Sequence, residues 1–121
     1  MQSTPRKLTT HQKAVLIQVL LAFPEQQVGV YYSPKAPDAL VYAQDFMTIF
    51  KAIGWTVNDA EWTDIVADRS TGLAVIVRRL ADLPPSAQAL RDSLRIYRIE
   101  VETFCDSNRD IASGSFVLAI G

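Results

Sequence analysis

The sequence predicts an α/β domain built on a mainly parallel sheet, and three segments support this fold class. Residues 26–57 combine an apolar strand, a turn with Pro34, an amphipathic helix and a second strand, which is the order of one β-α-β unit. Residues 72–77 form a continuous, β-branched apolar run that is typical of a buried parallel strand. Residues 84–95 begin with two prolines and continue as an amphipathic helix, so a second crossover is predicted.

Length and composition limit the possible classes of protein. A chain of 121 residues can bury one core without disulfides or a structural metal. With 49% hydrophobic residues, 21% charged residues and a formal net charge of -1, the chain is not of the disordered class, and nucleic acid is not an expected partner. The one cysteine, Cys105, cannot form an internal disulfide, and the one histidine, His11, leaves the usual metal sites short of ligands. These features predict a reducing, cytoplasmic compartment and no metal.

Residues 1–8 are polar, and the sequence predicts that they form a flexible lead or linker before a single domain at residues 9–121. The lead lacks the apolar run that follows a basic start in a signal peptide. The apolar stretch at residues 14–23 is too short to cross a bilayer. We therefore expect no direct membrane insertion by this chain.

The first helix is predicted to begin after Thr9, which stands three residues before Gln12 in the spacing of a capping box. The apolar residues that follow recur at helical spacing on a wide stripe, which predicts a deeply packed helix. Pro24 cannot extend this helix, and residues 27–32 then have the composition of a short, buried strand.

The second helix should run to about Ile53 and end at Gly54, which suits a left-handed stop. In a Schellman motif, Trp55 would then pack back onto Phe50, so we interpret the tryptophan as structural. Residues 55–57 lead a second strand, and the polar connection that follows at residues 58–71 could carry an extended piece around residues 60–65.

Right-handed crossovers and a buried third strand predict that the first and third strands are neighbours. Residues 99–102 alternate as a half-exposed strand, and residues 116–120 form a last apolar strand after a turn-rich segment. We expect these two strands to form a hairpin. The predicted order is α-β-α-β-β-α-β-β, in a sheet of four to five strands with the last strand antiparallel. Residues 116–120 would then be an exposed edge through which a homodimer could form.

The pattern of residues 8–12, 23–28 and 39–57, with a weaker contribution from residues 72–94, resembles a small α/β domain of uncharacterised bacterial proteins. In that group the domain often follows transmembrane helices near the C-terminus of a longer protein. The resemblance implies a bacterial domain on the cytosolic side of a membrane-anchored parent. It implies no activity and no catalytic residue.

Four residues that follow the first and third strands form the predicted ligand-binding site. Ser33 and Lys35 come after the first strand, and Arg78 and Arg79 come after the third. Because the carboxyl ends of parallel strands meet at one edge of a sheet, these groups would converge near two helix starts and could hold a small anion. The alternative is that both arginines are solvated or pair with Asp82.

An acidic cluster at Asp59, Glu61, Asp64 and Asp68 leaves a second function open. It could supply the acid and base of an enzyme that acts on a nucleotide-like or sugar-like substrate, although such a run is commonly a solvated surface. The sequence contains no nucleophile beside a base and no glycine-rich phosphate loop, so no cofactor is predicted. We therefore predict a non-catalytic sensory or interaction domain that binds a small anion or a protein partner at the strand ends.

Overall fold

The computed structural model describes residues 6–62, 72–106, 111 and 115–121. Within these ranges the α-β-α-β-β-α-β-β order confirms the predicted fold class. The elements are α1 (Thr10–Leu20), β1 (Gln27–Tyr32), α2 (Ala39–Ala52), β2 (Thr56–Glu61), β3 (Leu73–Val77), α3 (Pro85–Ile96), β4 (Glu102–Cys105) and β5 (Phe116–Ile120). A short 3-10 turn at Leu80–Asp82 precedes α3.

The five strands form one sheet in the order β2-β1-β5-β3-β4. β1 is parallel to both β2 and β5, and β3 is parallel to β4. β5 is antiparallel to β3, which confirms the predicted antiparallel pairing of the last strand. The sheet therefore has two halves that run in opposite directions and meet between β5 and β3.

The predicted neighbours of the last strand are wrong. β5 lies between β1 and β3, so the first and third strands do not pair, and β3 separates β4 from β5, so there is no hairpin. Every residue of β5 is buried, and both of its edges are hydrogen-bonded to other strands. β5 therefore has no open edge, and the predicted homodimer through this strand has no support. The physical reason is its unbroken apolar sequence, which suits a strand covered on both faces.

β2 is longer than predicted and extends to Glu61, through residues that the sequence assigned to a polar connection. Its residues from Asn58 to Glu61 are exposed, and among the strands that the structure describes it pairs with β1 alone. An outer strand with one neighbour tolerates polar residues that a central strand would not.

One core joins all three helices to the same face of the sheet. Both parallel crossovers, β1-α2-β2 and β3-α3-β4, have helices on this face, as right-handed crossovers require when the two sheet halves run in opposite directions. α1 contacts both α2 and α3. The largest fully buried side chains of this core are Phe46, Phe50, Phe116, Leu16, Leu20, Ile49, Leu73, Leu90, Leu94, Leu118 and Ile120.

The opposite face of the sheet carries smaller buried side chains. Ala74 and Ile76 of β3 form a second cluster with Val117 and Ala119 of β5, and Ile111 packs against it. The aromatic rings of Tyr31, Trp62 and Phe104 lie partly buried beside this cluster.

Local signals at the helix ends are confirmed. Thr9 and Gln12 form the reciprocal capping box at the start of α1. At the end of α2, Gly54 has a φ of 85° and the Trp55 N–H donates to the Phe50 carbonyl at 3.0 Å, which completes the Schellman motif. The Trp55 and Phe50 rings stack with centroids 5.4 Å apart, so Trp55 is part of the core.

α1 is less deeply packed than the sequence predicts. Only Leu16 and Leu20 of this helix are buried, and its apolar stripe continues at its C-terminal end to Leu21, which is 57% exposed. The stripe is wider than the surface that α2 and α3 can cover, so part of it faces away from the core.

Residues 6–8 of the predicted lead contact the domain, while residues 1–5 lie outside the described residues. Leu8 is buried in the core, and its N–H donates to the Asp45 carboxylate at 2.9 Å. The Arg6 guanidinium donates two hydrogen bonds to the Asp38 carboxylate, at 3.0 and 2.8 Å, and the Arg6 backbone N–H donates a third at 2.7 Å. These contacts fix the segment to α2.

Replacing Asp38 with asparagine is expected to weaken the fold and to change its acid sensitivity. The side-chain hydrogen bond from Arg6 outweighs the cost of burial and lowers the pKa of Asp38 from 3.8 to about 2. Because the folded pKa is depressed, the stabilisation is complete above the unfolded value and is lost as the pH falls from 3.8 to about 2. The pair is partly exposed to solvent, so we expect a loss of about 1 to 2 kcal/mol at neutral pH.

Urea denaturation of the parent and of Asp38→Asn, at neutral pH and through the acid range, measures this effect. Asp92→Asn is the control, because the Asp92 side chain is 64% exposed and lies 3.8 Å from its nearest arginine nitrogen. If Asp38→Asn retained the parent's loss of stability through the acid range, the assignment of this acid sensitivity to Asp38 would be wrong.

Candidate functional site

The four predicted site residues do not come together, because β3 runs opposite to β1. Tyr32 at the end of β1 is in register, through Ile120 of β5, with Leu73 at the start of β3. Ser33 therefore lies at the end of the sheet where β3 begins, whereas Arg78 lies at the other end, just after β3. At about 3.3 Å per residue, the five residues of β3 separate the two positions by roughly 15 Å.

Ser33 and Lys35 form a turn at their end of the sheet. The Ser33 N–H donates to the Ile120 carbonyl at 2.8 Å, and its hydroxyl accepts a hydrogen bond from the Lys35 N–H at 3.2 Å. Ser33 is buried and the Lys35 side chain is exposed. The serine hydroxyl thus stabilises the chain reversal between β1 and α2.

The two arginines at the other end differ from each other. Arg79 donates from Nε to the Asp82 carboxylate at 3.1 Å, which is the pairing considered as the alternative to anion binding. Arg78 is exposed, and among the described residues it has no ion-pair partner. At this end of the sheet, Arg78 is therefore the predicted site residue whose charge is available to a ligand.

Residues that closely follow Arg78 and Arg79 along the chain line a groove of about 460 Å³. Phe23, Pro24 and Gln26 form one wall, and residues 81–86 form the other. Its volume falls within the usual range for ligand pockets, roughly 300 to 1,000 Å³. The sequence analysis did not identify this groove.

The groove exists because α1 and α3 run side by side in opposite directions. At one end, the rings of His11 in α1 and Tyr97 beyond α3 meet edge to face at 6.2 Å. At the other end, the Ser86 hydroxyl donates to Gln26 Oε1 at 2.9 Å. Pro24 prevents α1 from continuing, so the chain turns beside the start of α3 and leaves an open space between them.

The surface around the groove is apolar. Leu80 immediately precedes the wall residue Ala81 and is 58% exposed, and Leu83 and Phe23 are half-buried. The groove thus has mainly apolar walls beside an exposed leucine, which is the usual lining of a ligand pocket. Polar side chains of the walls already have hydrogen-bond partners, because Asp82 accepts a hydrogen bond from Arg79 and Ser86 donates one to Gln26.

The acidic cluster lies elsewhere. Asp59 and Glu61 are exposed residues of the outer strand β2, and Asp64 and Asp68 lie outside the described residues. Glu61 is in register with Tyr32, at the end of the sheet away from Arg78. Searching the described ranges for three or more clustered metal-ligating residues finds no such group.

Comparison of the chain with protein-family models, with curated proteins and with solved structures gives no match. Within the described part of the chain, no helix has the length and apolar character needed to span a membrane. The groove and the exposed Arg78, which lies just before one of its walls along the chain, are the features on which a functional proposal can rest.

Proposed function

We propose that this chain is a non-catalytic interaction domain that binds an acidic, apolar segment of a protein partner. The observation that carries the proposal is the groove of about 460 Å³, one wall of which, residues 81–86, follows the exposed Arg78 closely along the chain. The wall of residues 81–86 follows the carboxyl end of β3, and the opposite wall immediately precedes β1. A membrane-anchored bacterial parent stays a prediction from the resemblance.

The groove suits one apolar side chain of the partner. Its walls include an aromatic ring at Phe23, a leucine at Leu83 and three proline rings, and proline surfaces are rigid enough to lose little entropy on binding. Burying a leucine or phenylalanine side chain in such a space contributes about 1.5 to 3 kcal/mol. That contribution alone gives weak binding, so a second contact is needed for specificity.

Arg78 can supply the second contact. A guanidinium presents parallel donors that match the two oxygens of a carboxylate, and Asp82 does not neutralise it because that carboxylate bonds to Arg79. An acidic residue next to the partner's apolar side chain would be suitably placed to use it. The described walls bring no free nucleophile or acid–base pair into the groove, which supports binding rather than catalysis.

Three short peptides test the proposal by NMR titration of the 15N-labelled protein. The probe is acetyl-Glu-Leu-Glu-amide, and its two matched controls replace both glutamates by glutamine or the leucine by alanine. We expect amide shifts at residues 23–26 and 80–88 with the probe, and weaker binding of each control. Equal shifts with all three peptides, or shifts confined to another surface, would contradict the proposal.

Variants assign the effect to the groove. Ala81→Trp fills it from an exposed position and is expected to abolish the shifts. Arg78→Ala is expected to weaken binding of the acidic probe about three- to tenfold and to leave the glutamine peptide unaffected. Lys35→Ala is the control, because it removes an exposed cation at the opposite end of the sheet. Retained binding by Ala81→Trp would assign the peptide to another surface.

A further inference from the structure

The outer edge of β2 offers a second surface. Among the described residues no strand lies beyond β2, which is the first strand of the sheet. The Thr56 N–H donates to the Gln26 carbonyl at 3.0 Å, and the Trp62 N–H donates to the Tyr32 carbonyl at 2.9 Å. Because backbone groups alternate in direction along a strand, the even-numbered residues of β2 bond to β1.

The odd-numbered residues Val57, Asp59 and Glu61 therefore turn their N–H and C=O groups away from the sheet. They form a row of three donor and acceptor pairs on a strand six residues long. The strand contains no proline or lysine, which are the residues that most often block an outer strand. This edge has the backbone geometry needed to accept one more strand.

The side chains of β2 differ between the two faces. Asp59 is in register with Val30 of the helix-covered core, so Asp59 and Glu61 lie on that face, and both are exposed. Ala60 is in register with Tyr31 on the opposite face, where the Tyr31 and Trp62 rings meet edge to face at 6.1 Å. The C-terminal part of this edge is therefore acidic on one face, at Asp59 and Glu61, and apolar on the other, at Ala60 and Trp62, whereas Thr56 and Asn58 make the N-terminal part of that second face polar.

We propose that this edge binds an extended segment of a partner protein in which basic residues alternate with apolar ones. Such a segment would add a strand to the sheet, with its basic side chains beside Asp59 and Glu61 and its apolar side chains beside Ala60 and Trp62. A second copy of the chain is a poor occupant, because two paired β2 strands would bring like charges together. This surface is separate from the groove, and neither proposal depends on the other.

The test uses acetyl-Lys-Val-Lys-Val-Lys-amide as the probe, with amide hydrogen exchange and chemical shifts of the 15N-labelled protein as the readout. We expect slower exchange at Val57, Asp59 and Glu61 at saturating peptide and low salt. The same peptide with alternate backbone nitrogens methylated should give no protection, because it cannot complete the ladder. A glutamate version of the probe should bind at least about tenfold more weakly.

Charge reversal distinguishes a binding edge from one that is merely solvated. The double variant Asp59→Lys, Glu61→Lys is expected to prefer the glutamate peptide, whereas Glu102→Lys, on the other outer strand β4, should keep the parent's preference. Asp59→Asn with Glu61→Gln is expected to remove the preference, and it provides the same information if the reversed variant does not fold.

Three results would overturn the proposal. They are an absence of protection at these amides, equal binding of the methylated peptide, and protection that rises with protein concentration when no peptide is present. The last result would assign the edge to a second copy of the chain.

Discussion

Replacing Leu118 with alanine is expected to lower the free energy of unfolding by about 2 to 5 kcal/mol. Leu118 is fully buried in β5, in register with Val30 on one side and Val75 on the other. It lies where the two halves of the sheet meet, beneath the helices. Truncation would leave a cavity that the surrounding strands cannot close, because their hydrogen bonds fix their positions. Urea denaturation measures the change.

Leu40→Ala is the matched control for this experiment. Leu40 lies in α2 and is 42% exposed, so the same atoms are removed from a position that contributes little to the core. We expect a change within about 0.5 kcal/mol, because alanine is also a good helix former. A similarly small cost for Leu118→Ala would mean that β5 is an outer strand and that the strand order described above is wrong.

The parts of the fold that sequence could predict are those determined by residues close together in the chain. The capping box at Thr9 and the helix stop at Gly54 depend on contacts within about five residues, and both are confirmed. The β-α-β unit that ends in β2 is confirmed for a similar reason, since one helix and two adjacent strands determine it. Such signals are independent of the rest of the chain.

Strand order depends on pairings between distant segments, and here the sequence prediction was wrong. A strand at residues 116–120 was expected at the edge because it follows the others in the chain. Its five consecutive apolar residues were nevertheless a signal of burial on both faces. The polar sequence of β2 was the complementary signal, since an outer strand is the position that tolerates it. Composition therefore indicates a central position for β5 and an outer position for β2, whereas the order of the strands along the chain does not.

The four predicted site residues are not brought together, because β3 runs opposite to β1. Reversing β3 relative to β1 moves Arg78 from one end of the sheet to the other, away from Ser33. The groove could not be found from spacing, since Gln26 and Ser86, which bond across it, are 60 residues apart. The available signal was compositional: Phe23 and Leu83 each stand directly before proline, which limits the helices that could otherwise have covered them.

The two proposed surfaces can be separated within one set of NMR experiments. Binding in the groove should affect amides at residues 23–26 and 80–88, whereas binding at the outer edge should affect Val57, Asp59 and Glu61. The probes also carry opposite charges, so non-specific electrostatic binding of one peptide would not reproduce both results. Loss of either set of shifts leaves the other proposal intact.

Replacing Gly72 with alanine is expected to lower the free energy of unfolding by about 2 to 5 kcal/mol. Gly72 has a φ of 72°, a left-handed conformation that costs a residue with a Cβ about 1 to 2 kcal/mol. The added Cβ would also lie 2.7 Å from the Gly121 carbonyl oxygen and would collide with the Arg6 guanidinium. Crowding of this kind adds about 1 to 3 kcal/mol. The backbone cannot easily move apart, because the Gly121 N–H donates to the Gly72 carbonyl at 2.7 Å.

Gly54→Ala separates the strain from the crowding. Gly54 has a similar φ of 85°, but its nearest neighbour would be the Glu25 carboxylate at 3.0 Å, the far end of a side chain that can turn away. We expect a loss of about 1 kcal/mol, and urea denaturation of the two variants should therefore differ by the cost of crowding. Gly72→Ala should also be less than additive with Asp38→Asn, because displacing Arg6 already breaks its bonds to Asp38. Equal losses for the two glycine variants, together with full additivity, would show that Arg6 and Gly121 do not crowd position 72.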